Sequence, residues 1–397
     1  MRVNKQRVCN ALRKHYPEIF GIRRKMQAAK VRRVCRHMLS RYEVEICEND
    51  PSQKAKIIAP YLKKYKRYLA PVVEEMESMI ANAPKYQSVK DLDALRTDML
   101  FCRLAYGFIP SEYTGFAFEE KGPEERKEYV SDIDMDVFGY SVDKITTIQT
   151  ILDKAESFKQ FKDYFKRDVI IIEKKSDYDE FCRFVSSHPI FVKKKVFSSM
   201  GNGVELVDIS QKGETKDYFD SLIKEGKFLL EERVMQSPEM ARFNESSVNT
   251  VRCITFRTSE GIVVPWTFMR CGRGGAFVDN GGQGGVLLNV DPADGVITTD
   301  AYSEYNECFE KHPDTGIIFK GNRLPAWAEL ISICTSIAEK YEGMEFLSFD
   351  LAYTDKGWII IEVNEVGQFI GPQIVLKKGI KKELWSYFMK MKNYCRG

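Results

Sequence analysis

Phe349-Asp350-Leu351-Ala352 and, a few residues on, Trp358-Ile359-Ile360-Ile361-Glu362-Val363-Asn364-Glu365 are the stretch on which the reading of this chain turns. Two short apolar runs flank Thr354-Asp355-Lys356-Gly357, a composition that predicts two strands joined by a tight turn. Side chains alternate between the faces of a strand, so Glu362 and Asn364 point one way and Val363 the other. Asp350 on the first strand can then converge with both.

Two carboxylates and an amide oxygen are hard ligands of the kind Mg²⁺ takes, and Mg²⁺ usually fills its remaining positions with water and substrate phosphate. Taken alone, the hairpin is as compatible with an Asp and a Glu that face water. Its meaning depends on what surrounds it.

The chain has 397 residues, 44% of them hydrophobic, too many for one ordinary core, which predicts two or three domains. No apolar run approaches the ~18 residues of a membrane span, and the N-terminus has no signal-peptide apolar region. The expected location is cytoplasmic. Ten cysteines are scattered singly with no CxxC pair, as expected of free thiols in a reducing compartment. With four histidines, a zinc centre or a Cys/His nucleophile is disfavoured.

The net charge of +3 hides a basic start, because Arg2 to Arg41 contains Glu18 as its only acid. Lys63, Lys64, Lys66 and Arg67 add a second cluster. Val8, Leu12 and Tyr16, then Ala28, Val31, Cys35, Met38, Leu39 and Tyr42, recur at helical spacing and predict basic amphipathic helices. Such helices either pack on a core of their own or lie against anionic lipid or an acidic polymer, which would make the protein membrane-associated. No nucleic-acid motif accompanies the charge, and no nucleic-acid partner is expected.

From Met1 to about Thr150 the pattern is helical, punctuated by Asp50-Pro51, Ala59-Pro60, Ala83-Pro84, Ile109-Pro110 and Gly122-Pro123. Ser88 to Gly107 reads as one helix with Leu92, Leu95, Met99, Cys102 and Ala105 on its apolar face. Beyond Thr150, strands and helices alternate. Strands are predicted at Val169-Ile172, Ile190-Lys193, Gly203-Val207 and Phe228-Glu231, with helices from Asp177 and Lys216 between them. Strand-rich segments follow from Val251, Ile262 and Gly285, then a helix from Trp327 to Tyr341.

Ile190-Phe191-Val192-Lys193-Lys194-Lys195 runs through Val196-Phe197 into Ser198-Ser199-Met200-Gly201-Asn202-Gly203. Lysine offers phosphate oxygens a mobile charge, and Ser and Gly let backbone N–H groups approach them. Alone, lysines at a strand end are as readily a solvated edge. The strand Phe228-Leu229-Leu230-Glu231-Glu232-Arg233-Val234 can meet an adenine edge with its backbone, with Glu231, Glu232 or Glu239 reaching the 6-amino group or ribose hydroxyls. It can equally be a buried strand ending in a charged turn. Ile151-Leu152-Asp153-Lys154 places another lysine just ahead of this unit.

In that order, the lysine, the strand-lysine-glycine loop, the acidic strand and Asp…Glu-x-Asn resemble the ATP-grasp superfamily, and most closely its sugar-transfer-associated branch. Branch-like segments are Tyr106-Gly107-Phe108-Ile109-Pro110-Ser111-Glu112-Tyr113, Asn249-Thr250-Val251-Arg252, His312-Pro313-Asp314-Thr315-Gly316, Phe349-Asp350-Leu351-Ala352 and Ile361-Glu362-Val363-Asn364. The resemblance spans roughly Val89 to Lys378. It implies an α+β protein: a mostly helical N-terminal domain at 1–150, a small α/β ATP-grasp subdomain at 151–232, and a larger catalytic subdomain with an antiparallel sheet at 233–397.

The resemblance also implies ATP and Mg²⁺, with Mn²⁺ as an alternative. Lys154 and Lys193 would hold the phosphates, Glu231, Glu232 and Val234 would line the adenine, Glu239 would reach ribose, and Asp350, Glu362 and Asn364 would bind the metal. The family's usual Lys-Pro is Lys193-Lys194 here, so the choice among Lys193, Lys194 and Lys195 stays open. Arg252 and Arg270 fall on predicted strands, and arginine suits both carboxylate and phosphate oxygens. Arg252 is expected at the transferring γ-phosphate, and Arg270 or the loop Asp279-Asn280-Gly281-Gly282-Gln283-Gly284-Gly285 at the acceptor. Arg273 is expected to pair with local acids, and His312 to order its loop.

The implied reaction is activation of a small-molecule carboxylate as an acyl phosphate, captured by an amine with release of ADP and phosphate. The branch adds a setting of polysaccharide or cell-envelope modification. A kinase acting on a sugar or other hydroxyl, or a nucleotide-binding scaffold with little turnover, are the alternatives.

Overall fold

The computed structural model describes residues 22, 26, 38–197 and 203–394. The expected amphipathic helices from Val8 and from Ala28 to Cys35, and the Ser198 to Asn202 part of the glycine-containing loop, lie outside the described residues.

From residue 38 onward the described chain runs through helices α1 (Arg41–Asn49), α2 (Lys54–Lys64), α3 (Lys66–Asn82), α4 (Leu92–Tyr106), α5 (Pro110–Gly115), α6 (Pro123–Lys127), α7 (Asp132–Val142), α8 (Ile145–Leu152) and α9 (Lys154–Phe165). Their ends follow local rules. Ser40 and Glu43 form a capping box on α1, Asp91 caps α4, and Gly107 closes α4 with φ 92°, a conformation that suits glycine. Pro51, Pro84, Pro110 and Pro123 stand at first helical positions, where the missing N–H has no partner to lose. Pro60 differs from expectation: it lies inside α2 rather than breaking the chain there.

A small sheet follows, with order β1-β4-β2-β3, from β1 (Val169–Ile172), β2 (Ile190–Lys195), β3 (Val204–Asp208) and β4 (Phe228–Glu232). Helices α10 (Tyr178–Ser187) and α11 (Thr215–Glu225) cover one face of it. There Phe181, Phe184, Phe219 and Leu222 pack on Phe191, Phe228 and Leu230. The opposite face carries Val192, Lys194, Leu229 and Glu231.

The short helix α12 (Pro238–Ala241) leads to a second antiparallel sheet, ordered β11-β10-β5-β6-β7-β8-β9. Its strands are β5 (Thr250–Thr258), β6 (Gly261–Cys271), β7 (Val286–Val290), β8 (Ala301–Tyr302), β9 (Cys308–Phe309), β10 (Phe346–Thr354) and β11 (Gly357–Asn364). Helix α13 (Trp327–Lys340) lies between β9 and β10 in the chain, and α14 (Ile370–Leu376) and α15 (Lys381–Tyr394) close it. Leu330, Cys334 and Ile337 of α13 pack with Val251, Cys253, Met269 and Phe349 on one face of this sheet. On the other face Ile254, Trp266, Phe268 and Leu287 join a core that runs from Met38 to Met391 and takes in α14 and α15.

That second face changes character along its length. It is apolar under α14 and α15, and toward the opposite end of the strands it carries Thr250, Arg252, Arg270, Asp350 and Glu362. Helix-covered sheets of this kind normally read as apolar, so a charged end marks a place built for something else. Among the described residues no helix is long and apolar enough to cross a membrane, and Cys47, Cys102, Cys182, Cys253, Cys271, Cys308 and Cys334 are free thiols.

Candidate active site

The hairpin forms as its sequence predicts: β10 and β11 pair antiparallel with Thr354 opposite Gly357, and Gly357 takes φ 80° to close the turn. Asp350 stands opposite Glu362 and Ser348 opposite Asn364. The register shifts between Asp350 and Leu351, whose partner is Ile360, so Ile361 is an extra residue on β11. This bulge matters because a strand's alternation would otherwise carry Glu362 to the other face.

Across β10 the next strand places Arg252 opposite Asp350. Glu362, Asp350 and Arg252 therefore form one row over three neighbouring strands. The Arg252 guanidinium grips Asp350 in a fork, Nε to Oδ1 and Nη2 to Oδ2 at 2.7 Å, and Arg270 reaches the same Oδ1 from β6. Burial alone would raise the Asp350 carboxyl, yet Arg252 and Arg270 outweigh it and hold it at about 2. Asp350 is 3% exposed, so this is a buried ion triad.

Arg270 is itself held in place. Its Nε donates to Thr250 Oγ1 at 3.1 Å and its Nη1 to Asn280 Oδ1 at 3.2 Å. Thr250 donates through N and Oγ1 to Asp279 Oδ2 at 2.9 and 2.6 Å. Burial pushes the Asp279 carboxyl above its ordinary range against the pull of Arg270. Gly285 is needed for the shape of this loop: a Cβ there would meet the Asp279 carbonyl oxygen at 2.1 Å.

Lys154 stands at the start of α9, where Asp153 caps the helix. Its Nζ reaches Glu362 Oε1 at 2.5 Å, and its backbone N donates to the Val196 carbonyl at 3.3 Å, tying the end of β2 to this corner. Asn364 is half-buried, and its Nδ2 has no hydrogen-bond partner among the described residues. That nitrogen is a donor and suits a phosphate oxygen, while the amide oxygen is the atom that can face a cation. Two carboxylates, this amide and three flanking cations suit a hard divalent ion and a polyphosphate together.

The expected nucleotide residues fall out differently. Lys193 points to the helix-covered face, where its Nζ pairs with Glu205 at 2.8 Å and lies over the Phe228 ring at 5.2 Å. Lys194 occupies the face shared with Glu231 and reaches Glu231 Oε2 at 2.9 Å. Of the two lysines expected at phosphate, Lys154 is brought to the hairpin and Lys193 is not; strand alternation, invisible in a run of three lysines, is the reason.

Glu231 is buried between Lys194 and Arg167, the latter donating from Nη2 at 2.6 Å and Nε at 3.0 Å. Against burial, these cations hold its carboxyl at about 2. It is a committed ion-pair partner. Glu232 accepts from the Asp168 backbone N at 3.0 Å, Val234 is half-buried beyond the strand end, and Glu239 is exposed in the first turn of α12. Arg167 was not legible in the sequence, where it is one basic residue in Lys166-Arg167.

Arg273 pairs locally as expected, donating to the Gly284 carbonyl and lying 3.5 Å from Glu307. His312 also orders its loop: it is buried, its Nε2 bonds the Gly272 carbonyl at 2.8 Å, and its Nδ1 accepts from the Asp314 and Thr315 backbone at 3.1 and 3.3 Å. That pattern assigns the proton to Nε2.

Curated proteins give no match. Among solved structures, the chain is similar to a D-alanine-D-alanine ligase from Coxiella burnetii at 7% identity and TM-score 0.39, over 64% of this chain and 61% of that one. It is similar to D-alanyl-alanine synthetase A from Vibrio cholerae at 11% identity and TM-score 0.41, over 63% and 68%. A third likeness is to the ATP-grasp ligase PsnB in complex with its precursor peptide PsnA2 and AMPPNP, at 10% identity and TM-score 0.38, over 69% and 68%. The chain thus spans less than two thirds of the Coxiella ligase's length. The family model described as sugar-transfer associated ATP-grasp matches residues 142–387, more than half of the chain, and the protein belongs to that family.

Proposed function

We propose that this protein is an ADP-forming carboxylate–amine ligase whose active site is the charged end of the large sheet. The observation that carries the reading is the row Glu362, Asp350 and Arg252 across three adjacent strands, with Arg270 and Lys154 closing on it. Lys154, Arg252 and Arg270 converge on this row, with Asp279 facing Arg270 from behind it, and bring cations to where a polyphosphate would lie. The division at 1–150, 151–232 and 233–397 belongs to the same proposal, with nucleotide between the two sheets.

Glu362 and Asn364, with Asp350 behind them, are the residues that would hold Mg²⁺. When bound, Mg²⁺ offsets charge on the nucleotide phosphates. Lys154, and Lys194 from its pair with Glu231, would meet phosphate oxygens at the corner where β2 ends. Arg252 and Arg270, fixed by Asp350 and the Thr250–Asp279 pair, present preorganised guanidinium groups to the phosphoryl group in transfer and to the carboxylate that attacks it. Holding both reactants contributes on the order of 7–11 kcal/mol to lowering the barrier, and excluding water protects the acyl phosphate until an amine displaces phosphate from it.

The family's sugar-transfer association makes uronic acids and amino acids the first carboxylates to try, and amino acids and amino sugars the first amines, in polysaccharide or cell-envelope modification. The proposal includes contact of the basic N-terminal segment with anionic lipid or acidic polymer, which co-sedimentation of a chain lacking residues 1–41 with anionic vesicles would test. The decisive chemistry is trapping with hydroxylamine: a carboxylate that yields its hydroxamate together with ADP supports the reading. A stable phosphorylated hydroxyl product in its place refutes it.

A further inference from the structure

Arg167 lies between α9 and β1, outside every segment the resemblance uses, and its side chain is 2% exposed. The three nitrogens of its guanidinium reach both sheets, and Nη1 also donates to the nearby Phe165 carbonyl at 3.3 Å. Nε and Nη2 hold Glu231 at the end of β4 in the small sheet, at 3.0 and 2.6 Å. Nη1 donates to the Ile360 carbonyl of β11 at 2.6 Å and Nη2 approaches the Ile361 carbonyl at 3.5 Å. Phe165 supports the guanidinium from one side, 4.7 Å from ring centre to Cζ.

The placement on β11 is specific. β11 is the edge strand of its sheet, so carbonyls on its outer side have no neighbouring strand to pair with. Ile360 and Ile361 are also the residues at the bulge, the feature that sets Glu362 opposite Asp350. A planar five-donor group can hold a carboxylate through two nitrogens and a bulge carbonyl through a third in one fixed geometry, whereas a lysine ammonium brings a single nitrogen to all its partners. From the other side, Glu231 passes the link on to Lys194 at 2.9 Å. The hairpin and the lysine strand are thereby joined through two buried residues, Arg167 and Glu231.

We propose that Arg167 is a positioning residue that locks the β11 bulge to Glu231, and so holds Glu362 and Lys194, which sit on different sheets, in mutual register. The inference rests on the active-site reading above. It makes Arg167 a tie between the two halves of the site, where a surface or purely local role would touch only one.

The test compares wild type with R167K, which keeps a charge for Glu231 but not the fork to the bulge, and with R167A supplemented with guanidinium. In the ligand-free proteins, amide hydrogen exchange is followed at Gly357–Asn364 and at Phe228–Glu232. Mn²⁺ affinity in the presence of ATP is measured by electron paramagnetic resonance with no carboxylate or amine present. The expected result is faster exchange in both segments of R167K, a loss of about tenfold or more in Mn²⁺ affinity, and partial recovery of that affinity in R167A on adding guanidinium.

Wild-type exchange in either segment with wild-type Mn²⁺ affinity in folded R167K overturns the proposal. So does a loss of thermal stability alone, with Mn²⁺ affinity per folded molecule unchanged. Because these readouts need no reaction, a wild-type protein that binds Mn·ATP but forms no hydroxamate overturns the ligase reading without touching this one.

Discussion

Asp350 and Glu362 face one another across the β10–β11 pair, but their counter-ions come from different places: Asp350 is held by Arg252 and Arg270 of the same sheet, Glu362 by Lys154 of α9. One acid is part of the sheet's buried framework. The other is 34% exposed in its side chain and sits where a ligand can compete for it.

The two acids therefore respond differently to substitution. D350N leaves two buried guanidinium groups without their anion, so it is expected to lose about 3–5 kcal/mol of stability as well as activity. E362Q breaks a half-exposed pair worth about 1 kcal/mol or less. Its turnover is expected to fall by about two orders of magnitude with an essentially unchanged melting curve. Urea melts alongside ADP release check both, and an active, stable D350N protein would contradict the framework role.

Lys193 and Lys194 separate by face. K194M is expected to raise the ATP requirement for half-maximal rate by about tenfold, the scale of one charge-assisted hydrogen bond. K193M removes the Glu205 pair and the contact over Phe228, and its effect belongs to stability, with the ATP requirement changed about twofold or less. Steady-state titrations with ATP on the two variants decide between them.

Acid should expose the two depressed carboxyls. Glu231 and Asp350 are each held at about 2, below their ordinary 4.5 and 3.8. A depressed folded pKa gives stability that is fully present above the unfolded value and is lost as pH falls toward the folded one. The stability advantage of wild type over E231Q is thus expected to be constant above about pH 5 and to shrink between about pH 4.5 and 2. Denaturant midpoints measured across that window report it.

His312 is an ordering residue, not a proton carrier. H312A leaves the Gly272 carbonyl and the Asp314 and Thr315 N–H groups without a partner, an expected cost of about 1–3 kcal/mol. Denaturant midpoints of H312A and wild type measure that cost, and an unchanged midpoint would contradict the ordering role.

Much of this was legible in the chain itself. The hairpin, its turn at Gly357 and the strands carrying Arg252 and Arg270 follow from period-two patterning and turn composition, which are local. The bulge at Ile361 is not local: Ile359-Ile360-Ile361 gives no sign of which isoleucine is extra, because the register is set by pairing with β10. The choice between Lys193 and Lys194 depends on which face α10 and α11 cover. Pro60 stays inside α2, where tertiary packing of Ile58 overrides the proline's propensity. Asp279 was visible as a loop residue, but its bond to Thr250 joins segments far apart in sequence.

In the proposed reaction a carboxylate attacks the γ-phosphate at the Asp350–Glu362–Asn364 corner. Positional isotope exchange in ATP labelled at the β,γ-bridge, run with sugar acids and amino acids and no amine, tests it most directly. Wild type is expected to scramble with one class of carboxylate, and E362Q to do so about a hundredfold more slowly. Wild-type protein that binds Mg·ATP but shows no scrambling with any carboxylate, while phosphorylating a hydroxyl acceptor, would contradict it.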